Sequence, residues 1–215
     1  VVTKNINILD IPLFYINLDK DQDQRKEIEE TLSSLGFSDV CRVAGVLHGS
    51  RKVGVALAHK KALIEASKTG TPFIVLEGDV VVKNFKEKIS VPLDADAYYL
   101  GISKWGLYGG RGVQKISAER YDQDTFRLFN MLSAHAILYL NKDYVNFILK
   151  SIEFYIHIKT NQDKGRAETM KFWNVYASKD PLFAQGGKYN PHTSFTLPTR
   201  DMKSSRLVFL AQGTI

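Results

Sequence analysis

Short apolar runs alternate along this chain with longer stretches of helical spacing. Residues 11–18 (IPLFYINL) read as a strand, with Pro12 near its start, where a missing backbone donor is tolerated. Over residues 23–35, Ile28, Leu32 and Leu35 share one helical face, and Gly36 stands where a C-terminal cap belongs. Residues 40–44 form a second strand, 53–67 a second helix ended by Lys68-Thr69-Gly70, and 71–76 a third strand. Residues 97–100 read as a fourth strand and 105–112 (WGLYGGRG) as a glycine-punctuated loop or hairpin. Residues 126–128 and 134–140 are expected to pair as further strands. Residues 143–156 form a long apolar helix, and 161–179 a polar loop leading into a helix. The tail after Asp180, with Pro181, Pro191 and Pro198, reads as irregular. Strands alternating with helices of this length predict right-handed βαβ units: an α/β fold, a mainly parallel central sheet flanked by helices, and one domain over residues 1–215.

The third strand carries the chemistry. Phe73-Ile74-Val75-Leu76 lies between Pro72 and Gly78 and reads as buried on both faces. It ends in Glu77-Gly78-Asp79, and the C-terminal mouth of such a strand is where open α/β sheets bind ligands. Two hard oxygen donors there suit Mg²⁺ or Mn²⁺, which in turn hold a diphosphate. The same three residues also fit an ordinary turn after a strand.

Composition narrows the class. The 215 residues are 44% hydrophobic and 24% charged, ordinary for a globular protein. One cysteine, Cys41, excludes a disulfide framework and a Cys-rich zinc site, and fits a reducing compartment, so the expected location is cytoplasmic. No apolar stretch approaches a membrane span and no signal peptide opens the chain. The start at Val1 suggests a piece of something longer. A net charge of +6 implies attraction to anions. Lys and Arg are scattered and no nucleic-acid-binding signature appears, so a nucleotide diphosphate explains the charge more economically than nucleic acid.

Other constellations carry less. Asp19 to Glu30 mimics a calcium loop, but Gln24 occupies the position where the sharp turn needs glycine. Asp94-Ala95-Asp96 is a literal Asp-x-Asp, yet it precedes its strand and so lies at the wrong end; it reads as a turn. His59 follows Gly54 in a helix whose N-terminus offers donors to an anion, or it is a structural histidine. His192 either completes a carboxylate metal site or lies at the surface. P-loop, dinucleotide and nucleophile-elbow motifs are absent.

Several segments together resemble family 25 glycosyltransferases. Tyr15-Ile16-Asn17-Leu18-Asp19 with Arg25 is similar to that family's "INLD…R" opening. Gly54 to His59 resembles its "G-x-x-x-S-H" helix start, with Ala58 in place of Ser. Leu76-Glu77-Gly78-Asp79-Val80 resembles "LEDDV", with Gly78 in place of the middle aspartate. Asp163 is similar to its "(P)vD" and Pro181 to Gln185 to its "P-x-x-x-Q". Compact domains of this type occur in multidomain glycosyltransferases of chlorella viruses, which makes a viral protein in host cytoplasm the expectation.

The resemblance implies a GT-A-type fold, a UDP-sugar donor, a carbohydrate or glycoprotein acceptor, and Mn²⁺ or Mg²⁺. It places Asn17, Leu18, Arg25, Gly54 and His59 near the nucleotide. Glu77 and Asp79, around Gly78, take the metal and ribose position, with His192 as a further metal ligand. Asp163, then Glu168, are the candidate catalytic bases, or else solvated loop charges; the flat faces of Trp105 and Tyr108 suit sugar rings as a platform, or pack in the core or loop. A non-catalytic nucleotide-sugar-binding module and a basic nucleic-acid-binding protein are the alternatives.

Overall fold

The computed structural model describes residues 2–103, 105–107 and 113–186. In chain order the elements are β1 (Thr3–Asn7), β2 (Leu13–Asn17), α1 (Gln22–Ser34), β3 (Val40–Ala44), α2 (Arg51–Ser67), β4 (Phe73–Glu77), β5 (Val80–Val82), β6 (Lys88–Pro92) and β7 (Ala97–Tyr99). They continue with β8 (Trp105–Leu107), β9 (Val113–Lys115), β10 (Ala118–Arg120), β11 (Thr125–Leu128), β12 (Ala136–Tyr139), α3 (Lys142–His157), α4 (Asp163–Thr169), β13 (Val175–Ser178) and β14 (Phe183–Gln185).

Eight strands form the main sheet in the order β10-β11-β13-β7-β12-β4-β2-β3. The fold is α/β, but the sheet is mixed, not mainly parallel. Neighbours run parallel at β2–β3, β2–β4 and β7–β13. They run antiparallel at β4–β12, β7–β12, β11–β13 and β10–β11. The cause is the connections. Helical crossovers α1 and α2 return the chain to the same end for β3 and β4, as parallel pairing needs. From β4 to β12 the described chain contains no helix, and β12 enters antiparallel between β4 and β7.

The strands expected at 126–128 and 134–140 exist, yet they do not pair with each other. β11 joins β10 and β13, whereas β12 joins β4 and β7. The 161–179 stretch holds α4 but ends in β13, buried between β11 and β7. The tail is not irregular throughout, because β14 pairs antiparallel with β5 and sets Gln185 opposite Val80. Antiparallel β8 and β9 flank the glycine-punctuated stretch; Tyr108 to Gly112 lie outside the described residues.

Side-chain alternation divides the core between the two sheet faces. In β4, Phe73 and Val75 join the cluster under α2 and α3, while Ile74 and Leu76 join the cluster under α1. Glu77 is the next residue on the α2 side. The buried stripe of α2 is rich in alanine (Ala56, Ala58, Ala62, Ala66), and such small side chains let a helix sit close to a sheet. His59 belongs to that stripe.

Asp94 and Asp96 hold the opposite end of the sheet together. The Asp96 carboxylate accepts from the Asn141 amide at 2.6 Å and the Asn174 backbone N–H at 2.8 Å, and Asp94 accepts from the Tyr176 hydroxyl at 3.1 Å. These bonds engage both carboxylates of the literal Asp-x-Asp in structure.

Candidate functional site

Where β2 and β4 end, a cavity of about 460 Å³ opens. Seven residues singled out in the sequence meet in its wall: Asn17, Leu18, Gly54, His59, Glu77, Gly78 and Asp79. They come from three separate elements, and the parallel β2–β4 pairing is what brings the two strand exits side by side.

Glu77 is the electrostatic centre. Its Oε1 lies 2.9 Å from His59 Nε2, and because a carboxylate only accepts, the imidazole donates. Burial alone would raise the Glu77 pKa; the hydrogen bond and charge of His59 outweigh it and hold the carboxyl below its ordinary range. His59 is 1% exposed, and its Nδ1 has no partner among the described residues.

Asp79 behaves in the opposite sense. Burial, then the Glu77 charge, push its pKa up from 3.8 to about 6, with the Gln185 amide pulling partly back. The Gln185 Nε2 donates to Glu77 Oε2 at 3.3 Å and lies 3.5 Å from Asp79 Oδ2, so one amide spans both acids. The β5–β14 pairing delivers it there. Sequence spacing gave no such role to Gln185, since its neighbours on β5 lie about a hundred residues away along the chain.

Gly78 has no room for a side chain. A Cβ there would come within 2.7 Å of the Ile16 carbonyl oxygen and 3.2 Å of Asn17 Cβ. Its N–H donates to that same carbonyl at 2.8 Å. The middle position between the acids is therefore occupied by the end of β2. Asn17, 2% exposed, turns its amide to the Asp21 carbonyl and Gln24, leaving Oδ1 without a described partner.

Lys20, Asp21, His48 and Arg51 also line the cavity, and the Arg51 charge acts on Asp79. Helix α2 begins here without a capping bond from the Ser50 side chain, so its first turn presents unsatisfied N–H groups. Gly54 lets the Val46 carbonyl approach that turn, since a Cβ would meet it at 2.6 Å. The neighbour that Gly54 admits is the chain's own loop.

Glu77 and Asp79 fit a hard divalent cation as oxygen donors, and Asp79 Oδ1 is buried with no described partner. Among the described residues no group of three or more His, Cys, Asp or Glu side chains is placed to hold a metal ion. His192 lies outside the described residues.

The other singled-out residues stand apart from the cavity wall. Arg25 pairs with Glu29, four residues on along α1, at 3.0 Å. Trp105 is 44% exposed on β8, against which α4 packs. Glu168 accepts from the Tyr155 hydroxyl at 2.7 Å, facing α3. Asp163 opens α4 and is held by the Gln162 amide. It lies within electrostatic reach of Glu77 and His59, and burial pushes its pKa up. Among the described residues no helix is long and apolar enough to cross a membrane.

No protein-family model matches the sequence, and no curated protein matches it. The fold is similar to that of a glycosyltransferase involved in the glycosylation of the major capsid of PBCV-1, at a TM-score of 0.48 and 11% identity, covering 81% of this chain and 92% of that one. It is also similar to the nucleoside-diphosphate-sugar pyrophosphorylase from Vibrio cholerae RC9, at a TM-score of 0.45 and 16% identity, covering 82% and 75%. At these values neither likeness carries a functional argument or establishes membership of family 25.

Proposed function

We propose that this chain is a metal-dependent glycosyltransferase that moves a hexosyl group from a UDP-sugar to a hydroxyl of a carbohydrate or glycoprotein. One observation supports the reading most: two acids of opposite pKa displacement, spanned by a single amide, in a cavity that Lys20 and Arg51 also line. A binding site for a cation and a polyphosphate needs both kinds of group, acids for the cation and bases for the phosphates.

Glu77 and Asp79 would hold Mn²⁺ or Mg²⁺, with His192 the further ligand expected from the sequence. When bound, the ion supplies Lewis-acid neutralisation of the diphosphate leaving group. His59 keeps Glu77 ionised, and Gln185 fixes the two carboxylates relative to each other. Lys20, Arg51 and the open first turn of α2 attract the phosphates. Asp163 takes the acceptor's proton in preference to Glu168, which faces α3. Trp105, exposed beside α4, supplies an apolar face to the acceptor sugar.

Gly78 favours a second reading, a nucleotide-sugar-binding module without chemistry, because the space of a third acid is closed. A transfer and hydrolysis assay over a panel of UDP-sugars with Mn²⁺ separates the two. Metal-dependent release of UDP that Asp79→Asn abolishes supports the enzyme; UDP-sugar binding with no turnover supports the module. Undiminished turnover in Asp79→Asn contradicts the assigned role of that carboxylate.

A further inference from the structure

Among the described residues, two large apolar side chains that remain exposed also line the cavity: Leu47 at 70% and Val55 at 37%. Neither can serve a cation or a phosphate. A lone exposed leucine means little, but the loop that carries this one is pinned on both sides of it. The Val46 carbonyl and the His48 backbone both crowd Gly54, where a Cβ would meet them at 2.6 and 3.5 Å. His48 Nδ1 accepts from the Ser50 N–H at 2.9 Å, and the Gly45 N–H donates to the Asn17 carbonyl at 2.9 Å. Leu47 is therefore held at the cavity wall by its neighbours, not by burial of its own side chain. Val55 follows Arg51 by four residues on α2, so the two are surface neighbours about 5–6 Å apart at Cβ. One helical turn thus sets a guanidinium beside an apolar surface in the same cavity.

We propose that Leu47 and Val55 form a nucleobase subsite, packing on the faces of the ring while Arg51 and the first turn of α2 meet the phosphates. A ligand that fits must carry an anionic group and, a short link away, a flat group with apolar faces, and a nucleotide has both. The proposal rests on reading the cavity as a nucleoside-diphosphate site and adds the residues that hold the base. Because the loop is fixed before binding, little ordering opposes the contact. Aliphatic packing on ring faces ignores the ring edge, so it favours a nucleotide over a bare diphosphate without choosing among bases.

The test is calorimetric titration of UDP and of inorganic pyrophosphate, each with Mg²⁺, into wild type, Leu47→Ser, Leu47→Ser/Val55→Ser and Leu47→Met. Wild type should bind UDP more tightly than pyrophosphate. Leu47→Ser should weaken UDP binding about threefold and the double variant about tenfold, with pyrophosphate unchanged; Leu47→Met, which keeps the apolar surface, should match wild type. Leu47→Ser alters a side chain that lies mostly in solvent, so it carries the test alone if the double variant does not fold. Undiminished UDP affinity in Leu47→Ser overturns the proposal, as does a loss shared equally by pyrophosphate, the mark of a displaced loop. Wild type that binds UDP no better than pyrophosphate also overturns it, and leaves the cation–diphosphate reading standing. Wild type that binds neither ligand overturns that reading, and this one with it.

Discussion

His59 Nε2 lies 2.9 Å from Glu77 Oε1, joining the buried stripe of α2 to the exit of β4. A hydrogen bond to a charged group of this kind contributes about 1.5–3 kcal/mol. Its pH dependence follows from the depressed Glu77 pKa. The contribution is present above the ordinary glutamate value of 4.5 and is lost as pH falls through the lower folded value. Urea denaturation of His59→Ala at pH 7 should therefore show a loss of that order, and the difference from wild type should shrink below pH 4.5.

Asp79 is displaced the other way, from 3.8 to about 6. A raised folded pKa favours the native state below the unfolded value, and that gain disappears as pH rises through the folded one. At pH 7 and above, ionised Asp79 is thus a burden on the metal-free protein. Asp79→Asn should stabilise it there by an amount on the order of 1–3 kcal/mol, with no difference below about pH 4. Thermal denaturation in EDTA across that range checks the sign.

Gly78 meets the end of β2 too closely for any side chain. Gly78→Asp should not restore a third metal-binding acid. Instead it should destabilise the protein by roughly 1–3 kcal/mol, as overpacking does, and weaken Mn²⁺ binding. A stable Gly78→Asp variant with tighter Mn²⁺ binding would show that the two strand exits separate easily.

Asp96 offers the contrast. Asp96→Ala removes the acceptor for Asn141 and for the Asn174 N–H. It should lower stability by about 1–3 kcal/mol yet leave UDP affinity unchanged. A selective loss of UDP or Mn²⁺ binding would move the metal site to the literal Asp-x-Asp.

The first third of the chain is legible because its apolar periods are long and clean. Ile28 and Leu32 mark the buried face of α1, and Phe73 to Leu76 mark a strand buried on both sides. The position of Glu77 and Asp79 at a strand exit follows from that pattern alone. Elsewhere the elements are short. β13 is four residues, and its pairing between β11 and β7 depends on contacts far along the chain. The antiparallel insertion of β12 is invisible to local pattern for the same reason, so the sheet reads as more parallel than it is. Gln185 escaped a site role because the β5–β14 pairing, not spacing, carries it to the acids. Arg25, grouped with Asn17 and Leu18 by resemblance, is instead spaced four residues from Glu29 and pairs with it.

The central claim is that Glu77 and Asp79 hold a divalent cation against a nucleotide diphosphate. Calorimetric titration of UDP into the protein, with Mn²⁺ and again with EDTA, addresses it directly. The account predicts binding at least about tenfold tighter with Mn²⁺, and loss of that increment in Asp79→Asn. Equal affinity with and without the metal, or an increment that survives Asp79→Asn, would contradict it.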